Sequence, residues 1–168
     1  KLDTDGEIVM ETDYQVNAAG FTIHSAVHQA RHDLVCVMHT HTVAGMAVAA
    51  QKVGLLPLAQ TSLEFYENLA YHEYEGIAFD LGERERLVGD LGDKMAMILR
   101  NHGLLTCGKS FSKAFTKMHS LEKSCQLQIA AQAGGDLVLP SEAVCKHTAQ
   151  QFRLSEDTES EGDLDKLA

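Results

Sequence analysis

Apolar and polar positions alternate along this chain in two rhythms, and the rhythm changes where the elements change. Two continuous apolar runs, Leu34-Val35-Cys36-Val37-Met38 and Met95-Ala96-Met97-Ile98-Leu99, are short and bounded by polar residues, which predicts buried strands over 34–38 and 95–99. Leu104-Leu105-Thr106 predicts a third strand, and Ile8-Val9-Met10 and Tyr74–Phe79 predict a short strand and an edge strand. Helical spacing takes over between them. Ile23, Ala26, Val27 and Ala30 share one face of a helix that Thr22 would cap and that runs to about Arg31, after a loop at Asn17–Gly20. An alanine-rich helix is expected over 43–52, stopped by Gly54, with further helices over 62–70 and 83–91. The longest helix begins behind Ser110 and ends at Gly134-Gly135, with Phe111, Phe115, Met118, Leu121, Cys125 and Ile129 as its stripe. Strands alternating with helices predict one α/β domain over 1–140. The segment 141–168 is polar and grows acidic from Ser155, which predicts a flexible tail.

Two of the strands end on histidine. His39 and His41 close the first apolar run, and residues at i and i+2 of an extended backbone point to one side, so the two imidazoles can converge. His102 follows the 95–99 run and is itself followed by Gly103. Three imidazoles on two strand ends form the ligand set of a metal site with one coordination position open, the arrangement of catalytic rather than structural zinc.

Composition narrows the partners. The chain has 168 residues, 45% hydrophobic and 23% charged, with a formal net charge of −10. That charge disfavours nucleic acid and anionic membrane, both of which demand a cationic surface. No apolar stretch is long enough to span a bilayer. Cys36, Cys107, Cys125 and Cys145 have no paired spacing, as expected of reduced thiols in a cytoplasmic protein. The chain opens on Lys1-Leu2-Asp3 without an initiator methionine, as a fragment would.

The stretch Asn17–His24, the His39-Thr40-His41 pair, Arg100-Asn101-His102-Gly103-Leu104 and the helix bearing Glu122, Cys125 and Gln128 together resemble the class II aldolase/adducin family over about residues 8 to 140. Ala19–Ala26 resembles its adducin-like branch more than its sugar-phosphate aldolases. The resemblance implies a three-layer α/β/α domain with a central, mainly antiparallel sheet, a homotetramer, and a family N-terminal part absent from this chain. It also implies that His39, His41 and His102 hold zinc or another divalent metal. Family enzymes carry an acidic residue four positions before the histidine matching His24, preceded by two serines that help bind a substrate phosphate. Here those positions are Gly20, Ala18 and Ala19.

Aldol cleavage or epimerisation needs a metal-polarised carbonyl, leading to an enediolate, and a positioned acid/base. With no carboxylate at Gly20, the base must come from elsewhere. Glu73 and His72, in Tyr71-His72-Glu73-Tyr74, either line the pocket and supply it or simply pair along a strand. Arg100 and Asn101 either contact substrate or support the corner. His24 and His28, at i and i+4, lie on a solvated or subunit-facing helix surface, with His24 alternatively a partner of the site. Two functions follow from the resemblance. One is a lyase or isomerase acting on a small hydroxy-carbonyl, sugar-like compound. The other is a non-catalytic adducin-like interaction module of the cytoskeletal type that keeps the fold and the metal site.

Overall fold

The computed structural model describes residues 1–77 and 82–158, the last three as backbone alone. Ten elements follow in order: α1 (Ala18–Ala30), β1 (Cys36–Thr40), α2 (Val43–Ala49), α3 (Gln60–Leu63), β2 (Ala70–His72), α4 (Glu83–Leu91), β3 (Ala96–Leu99), β4 (Gly103–Gly108), α5 (Phe111–Ala133) and α6 (Glu142–Thr158). The strands form one sheet in the order β1-β4-β3-β2. β4 pairs antiparallel with β1 and with β3, whereas β2 lies parallel to β3. The sheet is therefore mixed, with antiparallel pairing in the majority.

Layering follows from alternation. Val37, Leu99, Leu105 and Cys107 point to one face, where Ile23, Ala26 and Val27 of α1 and Leu87 and Leu91 of α4 cover them. Ile98 and Leu104 point to the other, against Val48 of α2 and Met118, Leu121 and Cys125 of α5. All residues of β3 and β4 are buried, as expected of strands covered on both sides. This is the expected α/β/α sandwich.

The elements differ from expectation at their ends. α1 starts at Ala18, because the Asn17 side chain caps it by accepting from the Gly20 N–H at 3.3 Å; the Thr22 hydroxyl instead donates to Ala18 inside the helix. β1 is shifted to 36–40 because its ladder with β4 runs from Cys36 opposite Gly108 to Thr40 opposite Leu104, which draws His39 into the sheet. The helix expected over 62–70 stops at Leu63; Glu67 adopts a left-handed φ of 57°, and Ala70 is recruited by β3. The edge strand is accordingly β2, not 74–79, and Ala78 and Phe79 lie outside the described residues. Ile8 makes only an isolated bridge with Leu2.

The segment after Pro140, expected as a tail, contains α6. Cys145 and Ala149, one turn apart, are each 1% exposed, and this helix packs on α3. The acidic residues from Glu159 onward lie outside the described residues.

Candidate metal centre

Because β1, β2 and β3 run in one direction and β4 returns, the carboxyl ends of three strands and the start of the fourth meet at one end of the sheet. Every histidine singled out in the sequence as a ligand sits there. His39 is the penultimate residue of β1, opposite Leu105, and so shares the face covered by α1 and α4. His41 lies one residue beyond the strand and is exposed. His102 closes the β3–β4 corner, its N–H donating to the Leu99 carbonyl at 3.1 Å. The corner needs a left-handed residue, and Asn101 supplies it at φ 54°, a conformation its short polar side chain tolerates.

The three rings converge. Their centroids lie 4.6, 4.8 and 4.7 Å apart, and their ligand nitrogens all fall within 4.8 Å of one another. The Nε2 atoms of His39 and His41 are separated by 2.7 Å. Two imidazoles bound tetrahedrally to zinc place their nitrogens about 3.4 Å apart. The observed separations therefore fit an ion with small ring movements. Among the described residues, no other group of histidines, cysteines and carboxylates gathers in this way.

The electrostatics suit ligation as well. Nδ1 of His39 lies 2.9 Å from the Leu104 carbonyl oxygen. A carbonyl only accepts, so Nδ1 carries the proton and the Nε2 lone pair faces the cluster. Burial drives the His39 imidazole down to about 4, against a raising effect of that hydrogen bond and with further lowering by His102, His41 and His24. Burial and then His41 lower His102 too. Neutral imidazoles bind metal without first losing a proton.

Small residues clear the space. A Cβ on Gly103 would stand 3.1 Å from Cδ2 of His41 and 3.3 Å from Cε1 of His39, so the glycine lets both rings lie against the β4 backbone.

The candidate acid/base residues stand outside the cluster. His72 ends β2 and is 3% exposed, with Nδ1 2.7 Å from Asp90 Oδ2 and Nε2 3.3 Å from Glu83 Oε1. Both of its nitrogens are thus engaged by carboxylates of α4. The Glu73 side chain is 85% exposed and lies 3.9 Å from Nε of Arg100. Arg100 supports the corner: its guanidinium donates to the Gln51 carbonyl at 2.7 Å and lies 4.3 Å from the Tyr71 ring centroid. Asn101 is exposed. His24, on α1, adds a small lowering effect at His39, while burial and then His28 lower His24 itself. Sequence reasoning missed the carboxylates around His72 and a hydrogen bond between Thr42 and Glu122, because both join residues far apart in the chain.

Known proteins resemble this chain in sequence and in fold. The family model described as Class II Aldolase and Adducin N-terminal domain matches residues 1–129. A Pseudomonas aeruginosa protein, whose name places it provisionally among the class 2 aldolases, is 53% identical over 80% of this chain and 52% of its own length. Alpha-adducin of Rattus norvegicus is 45% identical over 80% of this chain and 19% of its own. The crystal structure of an aldolase II superfamily protein from Pseudomonas syringae superposes with a TM-score of 0.86 at 56% identity, covering 89% of this chain and 62% of that one. The L-fuculose 1-phosphate aldolase of Glaciozyma antarctica does so with a TM-score of 0.77 at 31% identity, over 89% of this chain and 58% of that one. The chain thus spans just over half the length of the bacterial relative. No helix among the described residues is long and apolar enough to cross a membrane.

Proposed function

Because this chain belongs to the class II aldolase and adducin family, whose N-terminal domain it matches over residues 1–129, we propose that His39, His41 and His102 hold a divalent metal ion, zinc foremost, in a lyase or isomerase acting on a small hydroxy-carbonyl compound. The observation that carries this reading is the convergence of three imidazoles at the carboxyl ends of the strands, with the His39 lone pair aimed inward by Leu104. A bound ion supplies Lewis-acid polarisation of a substrate oxygen. Three protein ligands leave room for that oxygen.

The rest of the work falls to the chain's own residues. His39, half-buried and low in basicity, stays neutral and holds its place. We assign proton transfer to Glu73, whose exposed carboxylate is available where His72, enclosed by Asp90 and Glu83, is not. The first turn of α1, Ala18-Ala19-Gly20, carries no acid and no hydroxyl, which favours a substrate without a phosphate at that loop. A homotetramer in the cytoplasm is the setting we propose. The exposed, stacked rings of Phe111 and Phe115, with centroids 6.2 Å apart on α5, offer apolar surface for assembly.

Elemental analysis of the purified protein, joined to a screen of phosphorylated and unphosphorylated hydroxy-aldehydes, tests this reading. We expect about one ion per chain and chelator-sensitive turnover of an unphosphorylated compound; turnover indifferent to chelation would overturn it.

A second reading rests on the same bare turn. Ala18-Ala19-Gly20 lacks the residues of the family's catalytic loop, and 45% identity links the chain to alpha-adducin. In that reading the domain keeps its metal but serves as a cytoskeletal interaction module. Metal retention with no turnover, together with co-sedimentation with filamentous actin, would favour it.

A further inference from the structure

Of the three imidazoles only that of His39 comes from within a strand; His102 closes the tight β3–β4 corner, and His41 begins the connection from β1 to α2. It follows the end of β1, is exposed, and its ring meets only His39 among the hydrogen bonds of the described residues. Its position must come from its neighbours in the chain, and both are fastened to α5. The Thr40 hydroxyl lies 3.4 Å from Sδ of Met118. The Thr42 hydroxyl donates to Oε2 of Glu122 at 2.5 Å, which ties the chain to α5 on the other side of His41. Met118 and Glu122 are one turn apart on one face of the helix.

Thr42 is engaged twice more. Its oxygen accepts from the Gly45 N–H at 3.2 Å as the N-cap of α2, and its carbonyl accepts from Met46. The far oxygen of Glu122 accepts from Gln126 at 2.7 Å, so the carboxylate is itself held. The chain therefore passes from the sheet into α2 between two anchors on α5, with His41 suspended in the span.

We propose that Glu122 is a positioning residue for the metal centre, acting through the Thr42 hydroxyl to fix the backbone on which His41 approaches the ion. The inference rests on the metal-centre reading given above. Glu122 is not among the residues whose ligand atoms gather in the cluster. A one-turn segment with both ends tied presents its side chain in a narrow range of directions. Releasing the Thr42 end frees His41 while leaving His39 and His102 in place. The result is a site with two good ligands and one loose one.

Cobalt(II) titration of the full chain tests this, with affinity read by chelator competition and ligand number by the visible absorption of the bound ion. Glu122→Ala is expected to weaken affinity about 10-fold or more, within the 10–100-fold that loss of partners outside the ligand set costs elsewhere, and to shift the absorption towards higher coordination by water. Glu122→Gln keeps an acceptor oxygen and should restore most of the affinity. Thr42→Val should lose at least as much as Glu122→Ala, since it also removes the cap of α2, Thr42→Ser should resemble the parent, and the double variant Thr42→Val with Glu122→Ala should lose no more than Thr42→Val alone. If Glu122→Ala does not fold, the Thr42 pair carries the same comparison. Parental affinity and spectrum in Glu122→Ala or Thr42→Val would overturn the proposal, as would additive losses in the double variant. A parent protein that takes up no cobalt would overturn the metal centre itself, a distinct failure.

Discussion

A Cβ built on Gly103 would lie 2.3 Å from the carbonyl oxygen of Thr40, closer than any real contact between those atoms. The obstructing atom is backbone in the β1–β4 ladder, so it cannot swing aside as a flexible side chain does. We expect Gly103→Ala to destabilise the fold by at least the about 1–3 kcal/mol typical of overpacking. It should also displace His39 and His41 and lower metal affinity. Denaturant unfolding and cobalt titration of the same variant would measure both effects, and parental values in both would contradict this account.

On the proposed metal-centre reading, His102→Ala removes the imidazole that closes the triad, leaving two imidazoles from one strand end. Affinity should fall by more than the about 10–100-fold that partners outside the ligand set cost. Thermal stability without metal should change little, because His102 lies at a partly exposed corner. Isothermal titration and a melting curve separate the two outcomes.

Asn101 holds its φ of 54° at the same corner. Asn101→Gly should be close to neutral, since glycine adopts that conformation freely. Asn101→Val should cost roughly 1–3 kcal/mol of backbone strain and disturb His102. Comparing the unfolding midpoints of the two variants provides the check.

The low basicity of His39 makes the metal-free fold sensitive to acid. Its folded value is about 4 against an ordinary 6.5, so on acidification the unfolded chain takes up the proton first. This contribution leaves stability unchanged above pH 6.5 and erodes it as the pH falls from 6.5 towards 4. His39→Gln should flatten the dependence across that window in denaturant titrations at successive pH values.

Cys107 and Cys125 are pushed up to about 12 by burial. At pH 8 a thiol with that value is ~10⁻⁴ thiolate, and the thiolate is the reactive form. Native protein treated with an alkylating reagent should leave both unlabelled in peptide mass maps. Labelling of either before unfolding would show that its side of the sheet opens.

Much of this was readable from the residues. The apolar runs ending at Met38 and Leu99 located β1 and β3 closely enough to place His39, His41 and His102 at one end of the sheet, where their ligand atoms gather. Ser110 and Gly134 bounded α5 correctly, since caps act locally. What failed depended on distant partners. Ala70–His72 became a strand because β3 lay beside it. The helix over 142–158 is a different miss: Cys145, Ala149 and Phe152 keep helical spacing, but so few apolar positions among polar ones read as a tail. The enclosure of His72 by Asp90 and Glu83 and the bond from Thr42 to Glu122 span 11 to 80 positions, and no local pattern announces them.

The pairing of His39 with Leu105 has one more consequence. Sliding β1 along β4 by a single residue would turn His39 to the opposite face of the sheet, away from His102. An ion that needs both rings then has affinity only for the chain whose hydrogen-bond ladder is in step, and by mass action it enriches that arrangement over slipped ones. Loading with metal would in this way act as proofreading, rewarding correct strand alignment.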